Sequence, residues 1–188
     1  MIDTQAQTKE LTHDTFGVLH SLALRGSLAE LPEGSDGLVR EGLVNSASEG
    51  YELTALGHQR HRALLETERR TLDLGLLAMA YAGLPAVTRR LRDLSLEWEA
   101  NDEPDRLPMV GRMCGIVDEA ELILRRSAAV VPRFASYGPR LAAAKCRLMD
   151  SQLEYAVGPR VESILTVWRE MTEDYLQTLG EGHDEDGL

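Results

Sequence analysis

Aromatic side chains, cysteines and long apolar runs are all scarce in this sequence. Its 188 residues include two Trp, two Phe and five Tyr, so we expect the few aromatics to anchor a core. No apolar run approaches the roughly 18 residues that a membrane-spanning helix needs, and the start lacks the basic and apolar regions of a signal peptide. Cys114 and Cys146 fall in separate helical patterns, which predicts buried thiols in a cytoplasmic protein.

The motifs of the common enzyme classes are missing as well. The sequence contains no nucleophile elbow, paired-histidine zinc motif, phosphate-binding loop, dinucleotide fingerprint or C-x-x-C pair. His58 and His61 are spaced for one helix face, but Arg60 and Arg62 flank them and no third ligand is near, so a solvated surface is expected. The sequence therefore favours a protein without catalytic activity and implies no cofactor and no metal.

The charge balance is strongly negative. The formal net charge is −11, and contacts to phosphates need clustered lysines and arginines, so non-specific nucleic-acid binding is disfavoured. Hydrophobic residues at 43% and charged residues at 27% are ordinary for a globular protein. The length suits one medium domain or two small ones.

The N-terminal third alternates short elements with turns. Residues 1–12 are polar and are expected to be disordered, and Asp14 then caps a helix. The stretch "SLAEL" is typical of one helical turn, "LVREGLV" of a short helix that stops at Gly42, and "LVNSASEGYELT" of two short strands around a polar turn. Thr54 is expected to cap a helix that continues to about Tyr81.

The stretch "REGLVNSASEGYELTALGHQRHRAL" resembles the second half of a winged helix-turn-helix of the MarR repressor type. Gly42 lets the chain leave a helix sharply, Tyr51 and Leu53 alternate inward on the second strand, and Thr54 opens the next helix. The resemblance implies a two-stranded wing. It is a weaker signal of function, because degenerate winged helices also bind proteins.

The segment in front of that pattern is too short for a DNA-reading head. A second helix, a turn and a recognition helix need about 22 to 25 residues. Positions 27 to 41 supply 15 residues and include Pro32 and two glycines, so at most about two helical turns fit, with Ser35 as a cap. Between positions 26 and 53 six acidic residues stand against one basic residue, Arg40, whereas a DNA-facing surface should be basic.

The C-terminal half carries a second resemblance. "TVWREMTEDYLQTLG", with Trp168, Glu170, Glu173 and Asp174, is similar to the end of an actinobacterial family in which a winged-helix-like region precedes a helical segment. "LSLEWEAND", around Trp98, is similar to an earlier segment of that family. The resemblance covers most of the chain.

This family includes regulator-like proteins, and its helical segment also occurs appended to pyruvate phosphate dikinase-like, PEP-utilising chains. The resemblance therefore implies a partner or ligand connected with PEP- or pyruvate-utilising enzymes. The family often has histidines near two positions where this chain has Leu165 and Thr172. An activity that depends on those histidines is not expected here.

The rest of the chain is predicted to be almost entirely helical. Pro85, Pro139 and Pro159 fit the first turns of three helices, and a long amphipathic helix is expected from Leu107 to about Val131. The predicted fold is mainly α: a truncated winged helix-turn-helix with a small two-stranded wing, followed by an antiparallel helical bundle. The predicted divisions are a disordered N-terminus at 1–12, a degenerate winged helix at 13–70, a helical bundle at 71–180 and an acidic disordered tail at 181–188.

One acidic stripe is a candidate ligand site. Glu170, Glu173 and Asp174 have the spacing of one helix face, and Glu162 lies eight residues earlier. Such a stripe binds a polar ligand if it lines a cavity with an arginine, and otherwise it pairs with neighbouring helices. The residues of this hypothesis are Trp98, Arg140, Arg160, Glu162, Trp168, Glu170, Glu173 and Asp174.

Three functions are compatible with these patterns. The favoured one is a non-catalytic regulatory or accessory protein that uses a degenerate winged helix to bind a protein or ligand. The second is a winged-helix transcriptional regulator, and the third is a small-molecule-binding or catalytic helical domain that uses the acidic stripe. The DNA contacts of the second would be Arg40, Arg60, Arg62, Arg69 and Arg70.

The expected partners follow from the same patterns. An apolar stripe on the long helix offers more apolar surface than a two-layer contact needs, which indicates that the helix packs centrally or at a homodimer interface, and we predict a homodimer. A protein partner is expected, DNA is disfavoured, and no membrane is implied. The stripe consists of Leu64, Leu65, Leu72, Leu76 and Leu77.

Overall fold

The structure is a computed structural model that describes residues 4–48 and 50–181. Within these ranges, it describes only the backbone of residues 4–14 and 103–104. Within this part the protein is mainly helical with one small antiparallel sheet of three strands, which confirms the mainly α class. The chain divides into two compact units. Unit 1 ends at Thr71, and unit 2 begins at Leu72.

Unit 1 combines helices with the sheet. Its elements are α1 (Thr4–Arg25), β1 (Ser27–Leu28), α2 (Asp36–Arg40), β2 (Val44–Ala47), β3 (Gly50–Leu53) and α3 (Ala55–Arg69). The strand order is β1-β3-β2, and both pairings are antiparallel. Apolar residues of α1 pack with others on α2 and β2, and Tyr51 and Leu53 of β3 pack against them and are partly buried.

Two turns hold the hairpin between α2 and α3, as the sequence predicted. Gly42 has φ +70°, a conformation that favours glycine, and lets the chain turn from α2 into β2. Thr54 caps α3, because its Oγ1 accepts a hydrogen bond from the Gly57 amide at 3.0 Å. The same hydroxyl donates to the Gly42 carbonyl at 2.6 Å, so one threonine links both ends of the hairpin.

The N-terminal region differs in one place from the sequence prediction. α1 begins at Thr4, within the segment 1–12 for which disorder is predicted. Residues 1–3 lie outside the described part. The predicted helical turn "SLAEL" is instead a strand, because Ser27 and Leu28 pair with Glu52 and Tyr51 of β3. The predicted two-stranded wing therefore has a third strand beside it.

The single helix predicted from Thr54 to Tyr81 is also wrong, since the chain forms two helices there. Asp73 Oδ1 accepts a hydrogen bond from the Leu76 amide at 3.0 Å and so caps a new helix. An aspartate favours this position over a helix interior, because its side chain competes for backbone donors.

Unit 2 is helical and is organised around one apolar core. The predicted anchoring role of the aromatics is confirmed here, since Trp98, Phe134, Trp168 and Tyr175 are buried in that core. A 3₁₀ turn (Pro132–Ser136) separates its third and fourth helices. The helices of unit 2 are α4 (Leu74–Tyr81), α5 (Leu84–Ala100), α6 (Glu103–Ala128), α7 (Tyr137–Met149), α8 (Glu154–Val157) and α9 (Ile164–Leu179).

The C-terminal helices begin and end differently from the prediction. Pro159 does not open the last helix; Ser163 does, because its hydroxyl accepts from the Thr166 amide at 3.2 Å. α7 stops at Met149, and Ser151 adopts a left-handed φ of 64° before α8 begins. Of the predicted acidic tail, Glu181 is exposed, and residues 182–188 lie outside the described part.

The prediction of buried free thiols is met in part. Both cysteines are free thiols, but only Cys114 is half-buried, whereas Cys146 is exposed. No single helix among residues 4–48 and 50–181 is long and apolar enough to cross a bilayer. The stretches Ala55–Arg69 and Leu74–Ala100, which are separated by a short and bent break, together meet the length and composition of a membrane span and nothing more.

Candidate functional site

The exposed charges of unit 1 between residues 26 and 53 are almost all negative, and we call this stretch the acidic segment. Five described carboxylates stand against one guanidinium. Such a surface attracts a basic protein surface and repels phosphates. The exposed charged side chains are Glu30, Glu33, Asp36, Arg40, Glu41 and Glu52.

The helix within the acidic segment is very short. α2 covers Asp36–Arg40, five residues, which is fewer than two turns. Ser35 occupies the N-cap position as predicted, but its side chain makes no capping hydrogen bond, and its Oγ is buried without a hydrogen-bond partner. The helix also presents an apolar side chain, because Val39 is 41% exposed. α2 is thus too short to read base edges over several positions, but it carries both apolar and charged contact groups.

The basic residues proposed as DNA contacts are placed unevenly. Arg60 and Arg62 are exposed on α3. Arg69 Nη1 and Arg70 Nε both contact the carboxylate of Glu66, at 3.2 and 3.3 Å. A phosphate would have to compete with that carboxylate, so only part of this predicted set is available for such contacts.

A pair of histidines lies buried in unit 1, and the sequence did not indicate it. His20 Nδ1 and His61 Nε2 are 2.9 Å apart, so one ring donates a hydrogen bond to the other. The ring of Phe16 stacks on both, with centroid distances of 5.1 and 6.1 Å. The predicted solvated surface holds for His58 but not for His61, which is buried because α3 packs on α1. The separation of 41 positions between the partners hides the pair from any local pattern.

Arg140 joins two carboxylates in unit 2. Its Nη1 and Nη2 donate to Glu170 on α9 at 2.8 and 2.6 Å, and its Nε and Nη2 donate to Glu162 at 3.1 and 2.8 Å. Burial alone would lower the pKa of Arg140, but the hydrogen bonds and charges of Glu170 and then Glu162 outweigh it and raise the pKa. Two residues of the predicted acidic stripe, Glu162 and Glu170, are thus brought together with one of the predicted arginines.

A second cluster surrounds Asp174, which is 1% exposed. Arg133 donates to its carboxylate from Nε at 3.0 Å and from Nη2 at 2.9 Å, and the Tyr137 hydroxyl donates at 2.9 Å. Burial, followed by the charge of Asp174, raises the pKa of Tyr137. Arg140 lies 5.5 Å from the centre of the Tyr137 ring and so connects the two clusters.

The other residues of the predicted ligand site do not join these clusters. Trp98 and Trp168 are core residues, and the Trp168 indole donates to Thr88 Oγ1 at 3.0 Å. Arg160 is exposed. Glu173 accepts a hydrogen bond from within its own helix.

The sequence also missed Arg133 and Tyr137. Both lie in "VPRFASYGPR", which forms the 3₁₀ turn and the first turn of α7. Their spacing of four residues, continued at Arg140, was the one available signal, since side chains three or four apart on a helix share a face.

The hydrogen-bonded ion pairs of these two clusters connect the 3₁₀ turn and α7 to α9. The carboxylates of Glu162, Glu170 and Asp174 each face a guanidinium, so the charges within the clusters are paired. No group of three His, Cys, Asp or Glu side chains in residues 4–48 and 50–181 is arranged to hold a metal ion. These contacts support structural pairing more than acid–base chemistry.

Comparisons of the chain with models of known families, with curated proteins and with solved structures find no match. The two resemblances noted in the sequence therefore remain expectations.

Proposed function

We propose that this is a non-catalytic cytoplasmic protein of regulatory or accessory type, whose unit 1 is a degenerate winged helix that docks onto another protein. The observation that carries the proposal is the acidic segment. Its helix α2 has five residues, and its described exposed charges are five carboxylates and one guanidinium. Such a surface lacks both the length and the charge for groove reading.

The winged-helix part of the proposal is supported by the order of the elements. A helix, a short strand, a short helix, a hairpin and a further helix follow each other in unit 1, with sheet order β1-β3-β2. A winged helix that had lost the first helix of its helix-turn-helix pair would have this order. The term degenerate refers to that missing helix.

The chemistry of the acidic segment indicates the kind of partner. Carboxylates around α2 would pair with lysines and arginines of the partner, and the exposed Val39 would supply an apolar contact between them. We therefore propose a partner with a basic surface patch. The resemblance to segments of PEP-utilising chains suggests that such enzymes are the first partners to test.

DNA binding by the same fold is the main competing function. The strand order β1-β3-β2 favours DNA binding. The negative charge of the acidic segment opposes DNA binding, and Arg69 and Arg70 already contact Glu66. A DNA-binding chain with these arginines would show affinity that falls steeply with salt. This behaviour separates the two functions.

The experiment pairs two assays on the full chain. Fluorescence anisotropy measures binding to labelled duplex DNA from upstream of the chain's own gene, at low and moderate salt. Affinity capture from the source cells compares the natural chain with a triple variant, Glu33→Lys, Asp36→Lys and Glu41→Lys. The matched control reverses three exposed acids of unit 2: Asp93→Lys, Glu99→Lys and Asp150→Lys.

We expect no DNA binding in the anisotropy assay. We also expect that the natural chain and the control variant capture a protein and that the triple variant does not. Saturable, salt-sensitive DNA binding would overturn the proposal. So would a captured protein that both variants retain equally.

A homodimer is proposed as well, through α4. This helix carries no charged residue, and its Leu76 and Met79 are 52% and 75% exposed, whereas Leu77 is buried. Two copies with a net charge of −11 each repel one another, and an uncharged apolar face is where their approach costs least.

A further inference from the structure

Unit 2 has a groove that neither the polar clusters nor the proposed docking surface uses. It runs between α6 on one side and the 3₁₀ turn with α7 on the other, and its volume is about 540 Å³. On α6 it is lined from Val117 to Ala128, three helical turns or about 16 Å at 1.5 Å per residue. This volume is within the roughly 300–1,000 Å³ of small-molecule sites, and the shape is elongated.

The floor of the groove is apolar and firmly held. Leu124, Phe134 and Leu141 line it and are otherwise buried in the core of unit 2. The Phe134 ring stacks on Tyr175 at a centroid distance of 4.1 Å, which fixes its position. The walls consist of side chains too small to fill the space between the helices. These small residues are Ala128, Ala135, Gly138 and Ala142.

Two ion pairs line the rim, and they differ in exposure. Lys145 on α7 contacts Asp118 on α6, and Arg125 Nη2 lies 3.3 Å from Glu121 Oε1 on α6 alone. The Lys145 side chain is 24% exposed, whereas the other three are between 58% and 70% exposed. Lys145 is therefore the least exposed of the four charged side chains at the rim. Its carboxylate partner lies on the solvent side and can turn into water.

The two ends of the groove are also different. α7 runs antiparallel to α6, because Lys145, eight residues into α7, meets Asp118, ten residues before the end of α6. Lys145 and its partner Asp118 thus lie at one end of the groove, and the 3₁₀ turn with Phe134 lies at the other. A ligand with one anionic end that competes with Asp118 for Lys145, and with an extended apolar body that covers the floor, fits this arrangement.

We propose that the groove binds a medium- or long-chain aliphatic carboxylic acid. The carboxylate would replace Asp118 on Lys145, and the chain would lie over Leu141 and Leu124 towards Phe134. Burial of the chain supplies affinity, and the charge-assisted hydrogen bond from Lys145 supplies orientation. This inference is independent of what unit 1 binds.

The test is isothermal titration calorimetry of the full chain with decanoate below its micellar concentration, with 1-decanol as the uncharged match. We expect saturable binding of one decanoate per chain and weaker binding of decanol. Ala142→Phe fills the groove and should remove binding, while Ala143→Phe, on the adjacent exposed alanine outside the groove, should not.

Two charge variants test the recognition of the carboxylate, and they should change the affinity for decanoate in opposite directions. Lys145→Gln should weaken decanoate binding about tenfold or more, since a hydrogen bond to a charged group is lost. Asp118→Asn should tighten it, because the internal competitor for Lys145 is removed. Arg90→Gln breaks a similar ion pair to Glu119, on the α5 side of α6, and should leave the affinity unchanged.

The proposal is overturned if decanoate shows no saturable binding. It is also overturned if Ala143→Phe weakens binding as much as Ala142→Phe. Decanol binding as tight as that of decanoate, together with no effect of Lys145→Gln, would contradict the anionic ligand class.

Discussion

Arg133 donates hydrogen bonds to Asp174 from both Nε and Nη2, across 41 positions of the chain. The carboxylate is 1% exposed and the guanidinium side chain 21% exposed, so the pair is largely removed from water. Because Tyr137 and Thr178 also donate to this carboxylate, its charge is fully supported by protein groups. A buried charge with this many partners is costly to disturb from one side.

Replacement of Asp174 should therefore destabilise unit 2 strongly. Asp174→Asn removes the negative charge but not the volume, and so breaks the largely buried ion pair with Arg133. We expect a loss of about 3–5 kcal/mol in the free energy of unfolding. The measurement is urea unfolding followed by tryptophan fluorescence, because both tryptophans are buried in unit 2.

The matched control is Glu162→Gln, which removes the more exposed of the two partners of Arg140. The Glu162 side chain is 53% exposed and Glu170 remains in place, so the change should cost no more than about 1 kcal/mol. Equal losses in the two variants would show that burial of Asp174 has no special role.

Gly57 is a glycine of unit 1 that should not tolerate a side chain. It lies on α3, and a Cβ there would be 2.0 Å from the carbonyl oxygen of Leu43. Gly57→Ala must separate α3 from the start of the hairpin, and we expect a loss of about 2 kcal/mol or more. Unit 1 contains no tryptophan, so far-UV circular dichroism is the measurement.

Gly17→Ala is its control, since Gly17 is also a helical glycine of unit 1. A Cβ at Gly17 meets nothing within 4 Å, so the change should stabilise α1 by up to about 1 kcal/mol. If Gly57→Ala were neutral, the close packing of α3 against Leu43 would be wrong.

Stability should fall at high pH through Tyr175. Burial raises the pKa of the Tyr175 hydroxyl from its ordinary 10.0 to about 12, against the lowering effect of its hydrogen bond with Ser127. The unfolded chain loses this proton near pH 10 while the folded chain keeps it to about 12. The tyrosine's contribution is thus complete below pH 10 and is lost as pH rises through 12, at about 1.4 kcal/mol per pH unit.

Urea titrations between pH 8 and pH 12 measure this slope. Tyr175→Phe should be less stable at pH 8, since it lacks the 2.5 Å hydrogen bond to Ser127, and its stability should fall less steeply above pH 10. Parallel slopes for the two proteins would rule out Tyr175 as the responsible group.

The dimer should depend on the apolar face of α4. Met79→Glu places a charge on the most exposed large apolar residue of that helix, and like charges on the two copies would then face each other. Light scattering should give the mass of two chains for the natural protein and of one for the variant. Leu122→Glu, a comparable change on α6, should stay dimeric. A monomeric natural protein contradicts the prediction.

Local signals in the sequence predicted much of the fold. Gly42 and Thr54 act locally, through a left-handed φ and a capping hydroxyl, so their roles could be predicted from their neighbours alone. The helical character of the C-terminal half followed from hydrophobic periodicity in the same way. The mainly α class depends on such local signals.

The errors have a different physical origin. β1 is a strand only because β3 supplies hydrogen-bond partners more than 20 residues later, and "SLAEL" alone has no strand pattern. The buried position of His61 likewise depends on His20. At Asp73 the signal was local, but it was outweighed by the uninterrupted apolar pattern on both sides.

The candidate site shows the same division. The spacing of Glu162 and Glu170 predicted a shared direction, and both side chains reach Arg140. The sequence could not predict that Asp174 turns to Arg133, because that contact requires the 3₁₀ turn to fold back onto α9.

The central claim is that the acidic segment binds protein and not DNA, and a photo-cross-linker at Val39 tests it most directly. This side chain is 41% exposed on α2, so a benzophenone amino acid there should not disturb the core. The account predicts that irradiation in the source cells links the chain to a protein, and that Glu33→Lys with Asp36→Lys abolishes the product. Cross-linking to DNA, or a protein product that persists in the charge-reversed chain, would contradict it.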